Sequence, residues 1–412
     1  MKNIEIKKLL RLLYIPIIIL LITLIFILLT NKDKYYNNIE SIINRYNKFK
    51  RKNIYQNIEI NLMPFILYVK SIKETKAKKI FHNKEYNNPK ISFIVSVYNK
   101  EKYLESFILS IQMQDLKEIE VVFIDDCSDD KSVKIINDFQ IRDKRIKLVK
   151  NKKNMGALYS RAIGGNIAKG NYFIFFDSDD IILKEGIFQA YNHITKYNLD
   201  IVQFLSIYQK NETIYTSTNY YKYKNVIKQP ILSYIFYYDN LGVEKNVVLW
   251  DKLVKKQVVL KSIKYIGDEY IQHRMIIEND VILLFSFLKI AESYQYLNSL
   301  GYYYFATNIG SISNTRHNHE KSNEIVHSIL MNIKFLYEKT NNTFLDKYFC
   351  IFKIKQFFER YNIILKYAKQ QYNFMKELFN TLFNSKFISS NDKLVLMKLY
   401  LTIFNLDGSI RK

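Results

Sequence analysis

Cysteine is almost missing from this chain of 412 residues: Cys127 and Cys350 are the whole complement. Two thiols cannot build a disulfide-stapled scaffold or a cysteine-based zinc module. Proline occurs four times and glycine ten, which excludes collagen-like and low-complexity classes. Histidine is scarce too, and the pair His317 and His319 stands in a polar loop where a solvated role explains it better than metal ligation. Acidic residues are outnumbered, 39 against 62 basic ones, for a net charge of +23. Residues 1–90 hold 18 Lys and Arg against 6 Asp and Glu, so about half of that excess sits in the first fifth of the chain. No basic element carries a nucleic-acid-binding motif, so no nucleic-acid partner is expected. The excess reads as a lysine-rich surface and a basic N-terminal stem. What the chain does have is apolar residues, 48%, and aromatics, 15%, enough to exclude global disorder.

Long apolar runs are absent with one exception. Residues 12–30, LLYIPIIILLITLIFILLT, are 19 positions without a charge. At about 1.5 Å per residue they reach roughly 28 Å, close to the ~30 Å hydrocarbon core of a bilayer. Asn31, Lys32, Asp33 and Lys34 follow directly, leaving no small-residue cleavage site. Lys2, Lys7, Lys8 and Arg11 precede the run, and positive-inside logic puts the N-terminus in the cytoplasm. The expectation is a single-pass, type II anchor, with the rest lumenal in Golgi or endoplasmic reticulum if the chain is eukaryotic. Because the stem is also basic, a cytosolic domain tethered by its N-terminus is the alternative. Asn211-Glu212-Thr213 and Asn341-Asn342-Thr343 are glycosylation triplets of the kind an Asn-rich chain also produces by chance.

From residue 89 the pattern changes. Residues 91–97 (ISFIVSV), 119–124 (IEVVFI), 146–149 and 172–176 (YFIFF) are compact β-rich runs. Between them, Tyr103, Leu104, Phe107, Ile108 and Ile111 recur at helical spacing, as do Val133, Ile135, Ile136 and Phe139, and residues 156–168 read as a further helix. A helix over 187–197 and a strand over 201–207 continue the series. Strands alternating with helices imply βαβ units and a mainly parallel sheet, which binds ligands at the carboxyl ends of its strands.

Acidic clusters stand at those ends. Asp125-Asp126-Cys127-Ser128-Asp129-Asp130 follows the second strand, and Asp177-Ser178-Asp179-Asp180 the fourth. Carboxylates converging there repel unless a cation or donors neutralise them. Asp177 and Asp179 present two carboxylates from one turn, which suits a hard octahedral cation, Mg2+ or Mn2+, that also takes oxygens from a diphosphate. Ser128 and Asp129 suit a helix N-cap.

These motifs, in this order, resemble family-2 glycosyltransferases, whose domain has the GT-A fold: an α/β, Rossmann-like, mainly parallel sheet flanked by helices. The match runs from Pro89–Asn99 through Ile124–Asp130, Asn154-Met155-Gly156, Arg161 and Ala168-Lys169-Gly170 to Asp177–Asp180, about 120 contiguous residues. Cys127 stands where glycine is commoner, and Ala162 replaces an asparagine usual after the arginine. The resemblance implies that Ser96 and Tyr98 line the nucleotide base, that Asp126 accepts a base N–H, as suits uracil, and that Asp125 supports that loop. It places Asp177 near ribose and metal, and makes Asp179 the metal ligand proper. Arg161 could add positive charge there or simply sit exposed on its helix.

Downstream, Val248–Leu253 resembles the family's Trp-x-Lys segment. Trp250 could stack on an acceptor sugar or fill the core. Glu278-Asn279-Asp280 opens an apolar helix where the family has a Glu-Asp pair, and Asp280 matches the aspartate that serves as general base, with Glu278 the runner-up. The implied organisation is a tail and anchor over 1–31, a stem over 32–88, a catalytic domain over 89–315 (nucleotide-sugar half 89–207, acceptor half 208–315) and a helical region over 316–412. The implied activity is metal-dependent, inverting transfer from a nucleotide sugar, expected to be a UDP-sugar, to a hydroxyl of a glycan, protein or lipid. Alternatives are a polyprenyl-phosphate sugar transferase, or a catalytically silent glycan-binding or scaffold relative, for which Asn279 and Ala162 argue and Asp177, Asp179 and Asp280 argue against.

Overall fold

A computed structural model describes residues 82–210, 213–216, 226–228, 231, 248–304, 322–339 and 380. The apolar run at 12–30, most of the stem, Asn211, Asn341, His317 and His319 lie outside the described residues. No described helix is long and apolar enough to cross a membrane.

The first four strands fall where the β-rich runs predict: β1 (Ile91–Val97), β2 (Ile119–Asp125), β3 (Ile146–Lys150) and β4 (Tyr172–Asp177). Helices α1 (Glu101–Gln112), α2 (Ser132–Gln140) and α3 (Ala157–Ile167) connect them. All three neighbouring pairs in the order β3-β2-β1-β4 are parallel. After the short β5 (Ile181–Ile182) come α4 (Gly186–Lys196), β6 (Ile201–Lys210), β7 (Thr213–Thr216) and β8 (Ile227–Lys228). Then follow β9 (Lys252–Lys255), α5 (Lys256–Ile266), α6 (Asp268–Ile271), α7 (Asn279–Ile290), β10 (Ser293–Tyr304) and α8 (Ser322–Lys339). The described sheet runs β3-β2-β1-β4-β9-β6-β10-β5, with β9 antiparallel to both β4 and β6 and β10 parallel to β6.

Alternation along the strands splits the core into two layers. Phe93, Val95, Phe123, Ile174 and Phe176 face α1, α2 and α4. Ile94, Val122, Phe173 and Phe175 face α3, α5 and α7. Each buried phenylalanine contributes about 1.5–3 kcal/mol, which is why the sheet is apolar on both faces and its strands read as near-continuous hydrophobic runs. Helix α3 lies close on β1 and β2 because Gly164 has no Cβ: one there would stand 2.4 Å from Ile94 and 2.7 Å from Ile124.

Three features differ from the sequence expectation. The chain joins the domain before Pro89, since His82 bridges Asp143 in parallel and its ring meets the carbonyl of Gln112. Strands β9 and β10 were not expected. The KLVK of β9 is too short for a pattern, and β10 carries irregularities between Leu297, Leu300 and Tyr302 that break the period-2 signal. Trp250 is core: it is buried and stacks on Tyr302 and Tyr304 at 4.6 and 5.7 Å between ring centroids. Its indole lies among rings of the sheet, as a core residue does.

Candidate active site

Strand register sets the site. Val97 pairs with Asp125, and Ser96 pairs with both Ile124 and Asp177, so the carboxyl ends of β1, β2 and β4 finish level and their loops converge.

In the first acidic loop the charge is answered mostly by main-chain N–H groups. Asp126 accepts bonds from the amides of Met155 (2.8 Å) and Gly156 (2.7 Å) and from the side chain of Asn151 (2.7 Å). A carboxylate has about four acceptor sites, so these three bonds leave one of them unused. Asp125 accepts from the amide of Ser128 at 3.3 Å. Cys127 has φ +68°, a left-handed conformation that explains why glycine suits this position. Ser128 and Asp129 are not helix caps. The Ser128 hydroxyl accepts the Asn99 N–H, and the Asp129 N–H goes to the Asn99 side chain. Asp130 instead accepts the amides of Ser132 and Glu101, both at 2.8 Å, and Ser132 in turn accepts the N–H of Lys100. Loops 98–101 and 128–132 are thereby latched together. Ser96 is half-buried and Tyr98 is 43% exposed at their edge.

The second acidic loop is answered by side-chain cations. Arg161 is buried beneath two partly exposed carboxylates: it donates to Asp177 at 2.7 Å and, through its other terminal nitrogen, to Asp280 and Asn279. Asp177 and Asp280 keep 30% and 27% of their side-chain surface open, so a bound molecule can reach both. Burial lowers the guanidinium's proton affinity, but Asp280 and Asp177 outweigh it and hold Arg161 above its ordinary value. Burial raises the Asp177 carboxyl, Arg161 and Lys100 pull it back, Asp280 and Asp179 add to the rise, and it ends at about 6. Lys100 reaches Asp179 at 2.6 Å. Burial alone would lower its ammonium, yet Asp179, Asp177 and Asp180 hold it above the usual value. Asp180 accepts the Tyr302 hydroxyl at 2.6 Å, and Ser178 donates to the carbonyl of Ser96.

Asp280 comes from the first turn of α7, where the helix dipole favours a carboxylate. Glu278, the residue before that helix, has φ +57° and ψ +15°. The left-handed region is uncommon for a residue with a Cβ and costs of order 1 kcal/mol or more. Of the expected residues, the structure brings Arg161, Asp177 and Asp280 into one hydrogen-bonded group, with Asp179 beside it on Lys100. Asp125 and Asp126 sit in the adjoining loop. Lys100 was missed because a lysine after Tyr98-Asn99 reads as a surface residue in a lysine-rich chain, and nothing local shows that it faces a loop 79 residues on.

Among the described residues no group of three or more His, Cys, Asp or Glu side chains forms a metal cluster. Asp177 and Asp179 supply two carboxylates, one oxygen each if both bind in monodentate fashion. That donor set fits a hard dication that keeps its waters and takes further oxygens from a diphosphate. It does not fit a closed all-protein cage.

Three comparisons bear on this geometry. Residues 92–248 match the family described as glycosyl transferase family 2. A protein of Haemophilus influenzae named as an uncharacterized glycosyltransferase is 42% identical over 113 residues, 27% of this chain and 45% of that protein. A cholesterol galactosyltransferase of Borreliella burgdorferi is 31% identical over 238 residues, 55% of this chain and 62% of that one. The chain thus spans about half the length of the curated relatives it matches. Among solved structures, residues 1–349 of S. aureus TarS in complex with UDP-GlcNAc share the fold at TM-score 0.56 and 18% identity, covering 77% of this chain and 89% of that one. Both acidic loops and Arg161 fall inside the segment that matches glycosyl transferase family 2, while Asp280 lies beyond it.

Proposed function

We propose that this chain is a metal-dependent, inverting glycosyltransferase that moves a sugar from a UDP-sugar to an acceptor hydroxyl. One observation carries the reading: Arg161 ties Asp177, at the nucleotide end of β4, to Asp280, at the start of α7. A donor-side carboxylate and a carboxylate able to take a proton are thus held on one buried guanidinium. Asp177, Asp179 and Asp280 bring three formal negative charges, and Arg161 with Lys100 two positive ones. A diphosphate approaching that balance calls for more positive charge; Asp177 and Asp179 would hold a divalent cation, which would supply it and stabilise charge on the leaving nucleoside diphosphate. Tyr98 and Ser96 flank the base, and Asp126 accepts its N–H with the remaining lone pair. Asp280 takes the acceptor hydroxyl's proton as the oxygen attacks the anomeric carbon from the face opposite the nucleotide. Arg161 holds that carboxylate in place.

Among acceptors, a lipid hydroxyl is favoured over a glycan or protein. The relative named as a cholesterol galactosyltransferase supports this, and so does the apolar run at 12–30, which would hold a single-pass enzyme at the bilayer. TarS crystallised with UDP-GlcNAc and with UDP supports the choice of donor nucleotide. The test is turnover of a panel of UDP-sugars by the full chain and by Asp280→Asn, with the product anomer followed by NMR. Release of sugar with inverted configuration, lost in Asp280→Asn while UDP still binds, is the expected result. Retention of configuration, or an Asp280→Asn variant as active as the parent, would remove Asp280 as the base.

A further inference from the structure

Helix α8 lies downstream of the segment that matches the family, yet its buried polar side chains all point at one loop. Asn332, 1% exposed, donates to the carbonyl of Glu278 at 2.8 Å. Ser328, fully buried one turn earlier, accepts the N–H of Ile276 at 2.9 Å and passes its own hydrogen to Glu324. Glu324 pairs with Arg274 at 2.8 Å, and the Tyr270 hydroxyl donates to Glu338. Loop 272–278, which leads directly into Asp280, is therefore fastened along its length to α8. An amide and a hydroxyl buried on a helix are costly unless they are satisfied, and here each takes one partner from the backbone of this loop.

The opposite side of the loop rests on the nucleotide half. Gly156, whose N–H is bound by Asp126, has φ +86°, and a Cβ there would stand 2.9 Å from the Met275 carbonyl. Arg274 also donates to the Asn154 side chain at 2.9 Å. The loop is thus gripped between the turn that Asp126 shapes and α8. At its end Glu278 is held left-handed, and its carbonyl accepts both Asn332 and the Val281 amide.

We propose that α8 is a clamp for the catalytic base, with Asn332 and Ser328 as positioning residues that fix the Glu278 backbone and so aim Asp280 at the acceptor hydroxyl. The inference rests on the reading of Asp280 as base. It assigns residues 322–339 a share in the chemistry although they touch neither donor nor cation.

The test compares Asn332→Leu with Leu336→Ala in the full chain. Leu336 is a fully buried residue of the same helix, so its truncation loosens α8 without removing a bond to the loop. In Asn332→Leu, kcat for hydrolysis of a UDP-sugar is expected to fall about 10- to 100-fold, the scale of a misaimed catalytic group. The dissociation constant for UDP with Mn2+ should stay at the parent value. Hydrogen exchange of peptides covering 272–281 should quicken in Asn332→Leu more than in Leu336→Ala, whether or not turnover is measurable. Equal loss of kcat in both variants, or equal exchange, would reduce α8 to ordinary packing and overturn the clamp. A parent protein that binds no UDP would instead sink the glycosyltransferase reading, and the clamp's catalytic role with it. Normal UDP binding and turnover in Asn332→Leu would sink the clamp alone.

Discussion

Asp125–Asp130 and Asp177–Asp180 each stand at the end of a buried parallel strand, the first with four aspartates in six residues and the second with three in four. Their partners differ. The first loop gives its carboxylates to main-chain amides of Ser128, Ser132, Glu101, Met155 and Gly156, helped by the Asn151 side chain. The second gives Asp177 and Asp179 to Arg161 and Lys100. Amide hydrogen bonds fix a backbone and are spent in doing so. Side-chain cations can be exchanged for another cation, so the second loop is the one able to change partners during a reaction. Acidic residue counts do not separate the two loops; the kind of donor does.

The largest break in that comparison is Asp280→Asn, which removes the proposed proton acceptor and leaves the residues of both loops in place. Turnover should fall about 10²- to 10⁴-fold, with Mn2+-dependent UDP binding retained, as read by steady-state kinetics beside calorimetry. Next is Arg161→Met, which strands Asp177 and Asp280 without their buried counter-charge. Removing one partner of a buried pair costs about 3–5 kcal/mol, and the partial exposure of both carboxylates puts the expected loss at the lower end; urea unfolding measures it. An Arg161→Met protein as stable as the parent would mean that the second loop does not depend on side-chain cations. Gly156→Ala attacks the first loop, through a left-handed φ and a Cβ 2.9 Å from the Met275 carbonyl. A cost of about 1–3 kcal/mol is expected, with UDP affinity reduced because the Asp126 turn must shift.

Much of this was legible in the sequence, because β1 to β4 are long enough to show uninterrupted apolar runs and are each closed by a polar turn. The acidic loops were visible as residues, but their roles were not. Ser128 and Asp129 look like helix caps until the fold brings Asn99 within reach, and Arg161 could equally face solvent until α3 is laid against α7. Beyond residue 248 the signal weakens. β9 has four residues, β10 is irregular, and the contacts of Asn332 and Ser328 depend on a loop 52 to 54 residues away. Long-range polar pairing leaves no local pattern, so the half of the site built that way had to come from the structure.

Two smaller effects sharpen the contrast. Lys100→Met removes the side chain that occupies Asp179, so Mn2+ binding to the protein without nucleotide, followed by electron paramagnetic resonance, should tighten severalfold. A weakening would show that Lys100 helps to recruit the cation. The smallest effect lies at the other end of the sheet. Burial opposes ionisation of Glu120, but Ser92, the Lys169 amide and Lys147 outweigh it and hold the carboxyl below its usual value. A lowered acid stabilises the fold above its unfolded pKa of about 4.3, and that stability is lost as pH falls through the folded value. Glu120→Gln should therefore lower stability near neutral pH and flatten its decline under acid, as read from urea unfolding at several pH values.

The most direct test of the account is calorimetric titration of UDP into the full chain, with and without Mn2+, beside an Asp179→Ala control. The account predicts UDP binding that requires Mn2+ and disappears in Asp179→Ala. UDP binding that ignores the metal and survives the substitution, or none at all by folded parent protein, would contradict it.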